Sequence, residues 1–211
     1  MALVTGASRG LGRAASVQLA RRSHHVIALA RTAGGLEELD DEIARVGGSA
    51  SLAVADVADS AALQSIADTI TERWGRLDVL VHCAIFASRL GPAMQISGAD
   101  LESAISVNYR ATREIIARFG PLLARDGIAA FIDDPQADRP YFGCYGSSKR
   151  AQIGLATCWR EETRRIGPRV EIFSPKPMFT RTRRMFMPGS NPDLLSTPET
   201  EASRLLVQLG L

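Results

Sequence analysis

The first 22 residues restrict the fold of this chain more than any other stretch. Ala2-Leu3-Val4 is an apolar run, and Thr5-Gly6-Ala7-Ser8-Arg9-Gly10-Leu11-Gly12 interrupts it. From Arg13 to Arg22 the apolar residues Ala14, Ala15, Val17, Leu19 and Ala20 are spaced as on an amphipathic helix. Strand, glycine turn, helix is the context in which a glycine-rich motif means phosphate. The helix N-terminus carries unpaired N–H groups and a partial positive charge, and glycines let a phosphate approach the backbone. The spacing is G-x-x-x-G-x-G, so Gly6, Ser8, Arg9, Gly10, Leu11 and Gly12 are the candidate contacts.

Alternation continues down the chain. Strand-like runs stand at His25–Thr32, Ser51–Ala55, Leu77–Ala84, Gly127–Ile132 and Arg169–Phe173. Between them lie helical patterns at Leu36–Val46, closed by Gly47-Gly48, at Ala61–Trp74, at Leu101–Leu123, and from Lys149 to about Arg165. A last helix runs from Pro198 to Leu209 with Thr197 as its cap. This order predicts an α/β fold: a doubly wound parallel sheet of about six strands, of the Rossmann type, with helices on both faces. At 211 residues the chain is expected to form one domain over 1–211.

The second strand ends in Arg31, nearly 20 residues past the glycines, where an acidic residue would hold a ribose 2′-hydroxyl. A cation there favours a 2′-phosphate and predicts NADP(H) in preference to NAD(H); Arg9 adds a second charge against the same group. A formal charge of +2 is too small to argue for nucleic acid or a membrane surface. The three cysteines, Cys83, Cys144 and Cys158, lack metal-like spacing and read as reduced thiols. No apolar run reaches the ~18 residues of a membrane span, and a strand-like run follows Met1 directly where a leader would be basic. A cytoplasmic protein without a metal is the expectation.

Tyr145-x-x-x-Lys149 is the second motif. On a helix a spacing of four puts both side chains on one face, and an ammonium beside a phenol favours the phenolate, lowering its pKa. Together, Thr5–Gly12 and Tyr145-x-x-x-Lys149 resemble the cofactor motif and catalytic pair of the short-chain dehydrogenase/reductase family, at about the family's separation. The resemblance runs from Ala2 to about Leu206.

That resemblance implies roles. Asp56 and Val57 would contact the adenine ring, with Asp59 or Ser60 the better helix cap. Ser106-Val107-Asn108-Tyr109 resembles the family's helix-four motif, in which the Asn108 backbone would hold a water in a proton path to Lys149. Tyr145 would pass a proton to a substrate carbonyl oxygen while hydride arrives from nicotinamide. Leu77–Ala84 resembles Leu-Asp-x-Leu-Val-Asn-Asn-Ala-Gly and places Ala84 at the cofactor, but His82, Cys83 and Ile85 depart from it. For His82, packing is favoured over acid–base work. Ser174–Thr180 resembles Pro-Gly-x-Val-x-Thr, with Pro175 and Thr180 retained at the cofactor and Lys176 replacing glycine. Residues 174–198 would form a substrate lid, and its Arg181, Arg183 and Arg184 offer a landing place for an anionic substrate beside the plainer reading of a solvated face.

The family's serine at the end of the fifth strand is missing, and its place falls on Asp133 or Asp134. An ionised carboxylate would raise the tyrosine's pKa; a protonated one would donate the serine's hydrogen bond; a turn at Asp134-Pro135 would swing both away. Family members also add a seventh strand and tail that this sequence lacks, which argues for a homodimer through helices 101–123 and 146–165 over a tetramer. The expected activity is NADP(H)-dependent hydride transfer between nicotinamide and a small carbonyl or alcohol. The competing reading is a weak or inactive dinucleotide binder that acts through protein contacts.

Overall fold

β1 (Ala2–Thr5) lies at the centre of a six-stranded parallel sheet in the computed structural model, which describes residues 1–211. The other strands are β2 (Val26–Ala30), β3 (Ala50–Val54), β4 (Leu77–His82), β5 (Leu123–Ile132) and β6 (Arg169–Phe173), in the order β3-β2-β1-β4-β5-β6. That order reverses between β1 and β4, and the crevice beyond the strand ends at such a switch point is where α/β sheets bind ligands. The doubly wound Rossmann fold is as expected.

The strands divide their side chains between two cores, as period two requires. Ala2, Val4, Val26, Ala28, Val79 and Val81 pack beneath α1 (Gly10–Arg21), α2 (Ala33–Arg45) and α8 (Pro198–Leu209). Leu3, Ile27, Leu29, Leu80 and Phe131 face α3 (Ser60–Trp74), α5 (Ala111–Phe119) and α6 (Gly143–Thr163). Both faces of β1 and β2 are buried, which is why those strands read as unbroken apolar runs. Asp59 caps α3 by accepting from the N–H groups of Ala61 and Ala62, and Thr197 caps α8. No helix is long and apolar enough to cross a membrane.

One helical expectation changes. The region from Leu101 to Leu123 is not a single helix. α4 (Gly98–Ala104) leads into a π-helical stretch, Ile105–Arg110, before α5, and a 3₁₀ turn at Gly120–Leu122 ends it where β5 begins. The Ala111 N–H reaches back five residues to Ser106 O. The wide turn is explained by what Asn108 does inside the protein.

Candidate active site

A single cleft of about 840 Å³ opens at the carboxyl ends of the strands, from Arg31 and Asp56 at one end to Tyr145 and Phe186 at the other. The turn after β1 forms its floor. A Cβ on Gly12 would lie 2.4 Å from Gly6 O, so only glycine lets α1 start this close to the strand. Gly10 takes φ +57°, a left-handed conformation that favours glycine, and an added Cβ would meet only Thr180 Cγ2, in ordinary contact at 3.7 Å. No side chain caps α1, and Gly10, Leu11 and Gly12 line the cleft with the helix N-terminus. Ser8, Val57, Ala84, Pro175 and Thr180 also line it.

Three guanidinium groups gather at this end. Burial lowers the Arg9 pKa, and the charges of Arg181 and Arg31 lower it further. Arg31 makes a 3.4 Å ion pair with Asp56, which also accepts from the Ala58 N–H. Mutual repulsion around an uncapped helix N-terminus is the electrostatic shape of a polyanion site. The residues present therefore fit a dinucleotide phosphate.

At the other end the structure separates the two aspartates. The Tyr145 hydroxyl donates to Asp134 Oδ2 at 3.0 Å, and Asp134 Oδ1 accepts from the Gln136 N–H at 2.9 Å. Asp134 thus starts a turn and still faces the tyrosine. Asp133 turns away to Arg150 at 3.0 Å, which also holds Asp138. The Tyr145 pKa is raised, first by burial, then by the charge and hydrogen bond of Asp134, then by Asp133, with Arg150 opposing. Of the alternatives open for the aspartates, this is the ionised carboxylate that opposes Lys149 and raises the phenol's pKa.

Lys149 is buried and engaged elsewhere. Its ammonium donates to Gln152 Oε1 at 2.7 Å, and Gln152 Nε2 donates to Thr112 Oγ1 at 2.9 Å. Thr112 gives its one proton to Asn108 O at 2.8 Å, so it accepts from His82 Nε2 at 3.1 Å. His82 Nδ1 is then bare and accepts from Thr5 Oγ1 at 2.7 Å, which itself accepts from the Ala84 N–H. One protonation pattern satisfies every member, with His82 neutral. Burial, with the Lys149 charge behind it, pushes the His82 pKa down to about 3. His82 is thus a structural hydrogen-bond bridge.

Asn108 is fully buried and braces the loop after β4. Its Oδ1 accepts from the Phe86 N–H, and its Nδ2 donates to Phe86 O and to Ser148 Oγ. Its backbone carbonyl, the expected holder of a water, accepts from Thr112. Gln152 and Thr112 were not singled out from sequence. Their spacing held the signal: Gln152 lies three residues beyond Lys149 and Thr112 four beyond Asn108, each one helical turn away.

Burial is also the first cause of a Lys149 pKa lowered from the ordinary 10.5 to about 8, despite Asp133 and Asp134. Between those two values the unfolded chain binds more protons than the folded one, so this group's contribution makes stability rise from about pH 8 to about pH 10.5. Lys149→Met should abolish that rise and stabilise the ligand-free protein near pH 7 by about 2 kcal/mol, even after the bond to Gln152 is lost. Urea unfolding of both proteins at the two pH values measures this; an equal slope would refute it.

The segment after Thr180 covers the tyrosine ring. α7 (Arg181–Phe186) is capped by Thr180, which accepts from the Arg183 N–H. It lays Phe186 on Tyr145 with ring centroids 4.9 Å apart, and Phe142 completes the aromatic group. Ile85 packs against the same cluster, which accounts for an apolar residue where the family has glycine.

A Rossmann sheet whose glycine turn shares one cleft with a buried tyrosine–lysine pair defines a class of nucleotide-dependent oxidoreductases. Residues 1–189 match the family model described as short chain dehydrogenase. The D-threitol dehydrogenase of Mycolicibacterium smegmatis is 30% identical over 199 residues, covering 92% of this chain and 76% of that protein. A crystal structure of a short chain dehydrogenase from Salmonella enterica serovar Typhi superimposes with a TM-score of 0.90 at 27% identity, covering 100% of this chain and 88% of the other. A metagenomic short-chain oxidoreductase in complex with NADP gives a TM-score of 0.85 at 28% identity, covering 100% and 90%. The chain belongs to the short-chain dehydrogenase family and is an oxidoreductase.

Proposed function

We propose that the chain is an NADP(H)-dependent carbonyl reductase of small molecules. The observation that carries this is the continuity of one cleft from the arginine-lined glycine turn to the Tyr145–Asp134 pair. Gly6, Ser8, Gly10, Leu11 and Gly12 would cradle the phosphates, Arg9 and Arg31 the 2′-phosphate, and Asp56 and Val57 the adenine. Ala84, Pro175 and Thr180 would line the path to the nicotinamide. The NADP carried by the metagenomic relative supports the choice of cofactor. When bound, NADPH supplies a hydride.

The protein's own part is the proton and the setting. Tyr145, kept protonated by burial and by Asp134, gives its hydroxyl proton to the carbonyl oxygen as that carbon is reduced. At neutral pH the phenol therefore stands in the form that reduction needs. Lys149, held by Gln152, sets a positive charge behind the reacting atoms, and the Asn108 brace fixes the loop carrying Ile85 and Phe86. Phe142 and Phe186 exclude water from the tyrosine. A cytoplasmic homodimer through residues 101–123 and α6 goes with this reading; the exposed apolar Leu101 of α4 and Tyr109 of the π-helical stretch support the first of those surfaces.

NADPH should bind more tightly than NADH, and Arg31→Ser should shrink that ratio about tenfold or more by removing a charge-assisted contact. Fluorescence titration of both nucleotides checks this, and tighter binding of NADH to the unaltered protein would contradict the assignment.

A further inference from the structure

Arg183 is a cation at the reacting end of the cleft with no anion of its own, as is the deeper Lys149, whose ammonium is turned to Gln152. The carboxylates that line the cleft are Asp56, Asp133 and Asp134. Asp56 is paired with Arg31, Asp133 with Arg150, and Asp134 takes the Tyr145 hydroxyl. Arg183, half-buried in the lid, is left with neutral partners: its Nε donates to Ser190 Oγ at 3.0 Å and its Nη1 to Gln136 Oε1 at 3.2 Å. Those two bonds fix the plane of the guanidinium and use two of its five N–H donors.

The same bonds place Arg183 beside the chemistry. Gln136, its partner, donates its backbone N–H to Asp134 Oδ1, and the other oxygen of that carboxylate holds Tyr145. Arg183 and the tyrosine are thus joined through one turn, and Phe186, three residues along α7, covers the tyrosine ring. The neighbouring arginines lie against other groups. Arg181 acts on Arg9 at the phosphate end, and the guanidinium of Arg184 stacks over Phe179 at 5.6 Å. Phe142, Phe186, Ile85, Leu90 and Met187 make the surrounding wall apolar. Such a wall accommodates a singly charged carboxylate more readily than a doubly charged phosphate, whose desolvation costs more.

We propose that the substrate is an oxo acid, or the hydroxy acid formed from it, and that Arg183 receives its carboxylate while the carbonyl lies at Tyr145 and the apolar remainder packs on Phe142 and Phe186. This rests on the reductase reading given above. A planar carboxylate on the free edge of an already oriented guanidinium makes charge-assisted hydrogen bonds, which fix the carbonyl against the phenol.

Straight-chain oxo acids with the carbonyl two to five carbons from the carboxylate, each beside its methyl ester, test this with NADPH as reductant. For the best acid, kcat/KM should exceed that of its ester about tenfold or more, and Arg183→Met should bring the acid-to-ester ratio close to one. Arg183→Lys, which keeps the charge and loses the planar fork, should retain part of the preference. An ester turned over as well as its acid by the unaltered enzyme, or a preference that survives Arg183→Met, overturns the proposal. Turnover of no compound would count against the reductase reading alone. Calorimetry with unreactive hexanoate in the presence of NADP then decides the carboxylate site by itself: binding that disappears in Arg183→Met supports it, and no binding to the unaltered protein overturns it.

Discussion

Tyr145→Phe is expected to lower NADPH-dependent carbonyl reduction by about 10² to 10⁴ in kcat, the usual contribution of a positioned proton donor. The variant keeps the ring that Phe142 and Phe186 pack against and loses only the hydroxyl that donates to Asp134. Its unfolding midpoint should therefore stay close to that of the unaltered protein, separating a chemical loss from a structural one. Steady-state NADPH oxidation with the best carbonyl substrate, beside thermal unfolding, provides both readings. Full turnover by the variant would mean that the proton comes from another group, and the roles given to Asp134 and Lys149 would fall with it.

Asp134→Asn is expected to act in the opposite direction of the catalytic cycle. The carboxylate raises the Tyr145 pKa through its charge and by accepting the phenol's hydrogen bond; the amide keeps the shape and removes the charge. The phenol's pKa should fall, although burial still holds it above the ordinary value. Alcohol oxidation needs the phenolate, so NADP-dependent oxidation at mildly alkaline pH should rise about tenfold or more. Reduction needs the phenol, so its alkaline limb should move to lower pH. Overlapping pH profiles for the two proteins would show that Asp134 does not govern the tyrosine.

The parts of this molecule written in local pattern were legible in its sequence. A glycine turn between a strand and a helix, and the alternation after it, specify a doubly wound sheet because each feature is set by neighbours in the chain. The competing reading, a dinucleotide binder that acts only through contacts with other proteins, is not favoured: the relatives that match are named as dehydrogenases and reductases. What stayed hidden depended on contacts between distant elements. Asp133 and Asp134 could not be told apart because successive residues leaving a strand point to opposite sides, and only the placement of Arg150 and Tyr145 decides which aspartate goes where. Lys149 does share a helix with Tyr145, but its ammonium finds Gln152, a choice made by the buried polar chain from Thr112 to Thr5 that joins α5, α6, β4 and β1. The helical spacings Lys149–Gln152 and Asn108–Thr112 are visible in the sequence, but no spacing rule reports the links from Gln152 to Thr112, His82 and Thr5, each of which crosses between elements.

The wide turn at Ile105–Arg110 has a consequence for how this region tolerates change in length. A π turn carries one residue more than the α-helical ladder needs, and each α-helical residue advances the rotation by about 100°. That extra residue sets the rotational phase of α4 against α5. Removing it would let the ladder close regularly and would swing either Asn108 or the apolar face of α5 out of the interior. Substitutions on the exposed side of the turn are thus a mild matter, whereas a deletion of one residue anywhere within it shifts the frame on which Phe86, Ser148 and Thr112 are all aligned.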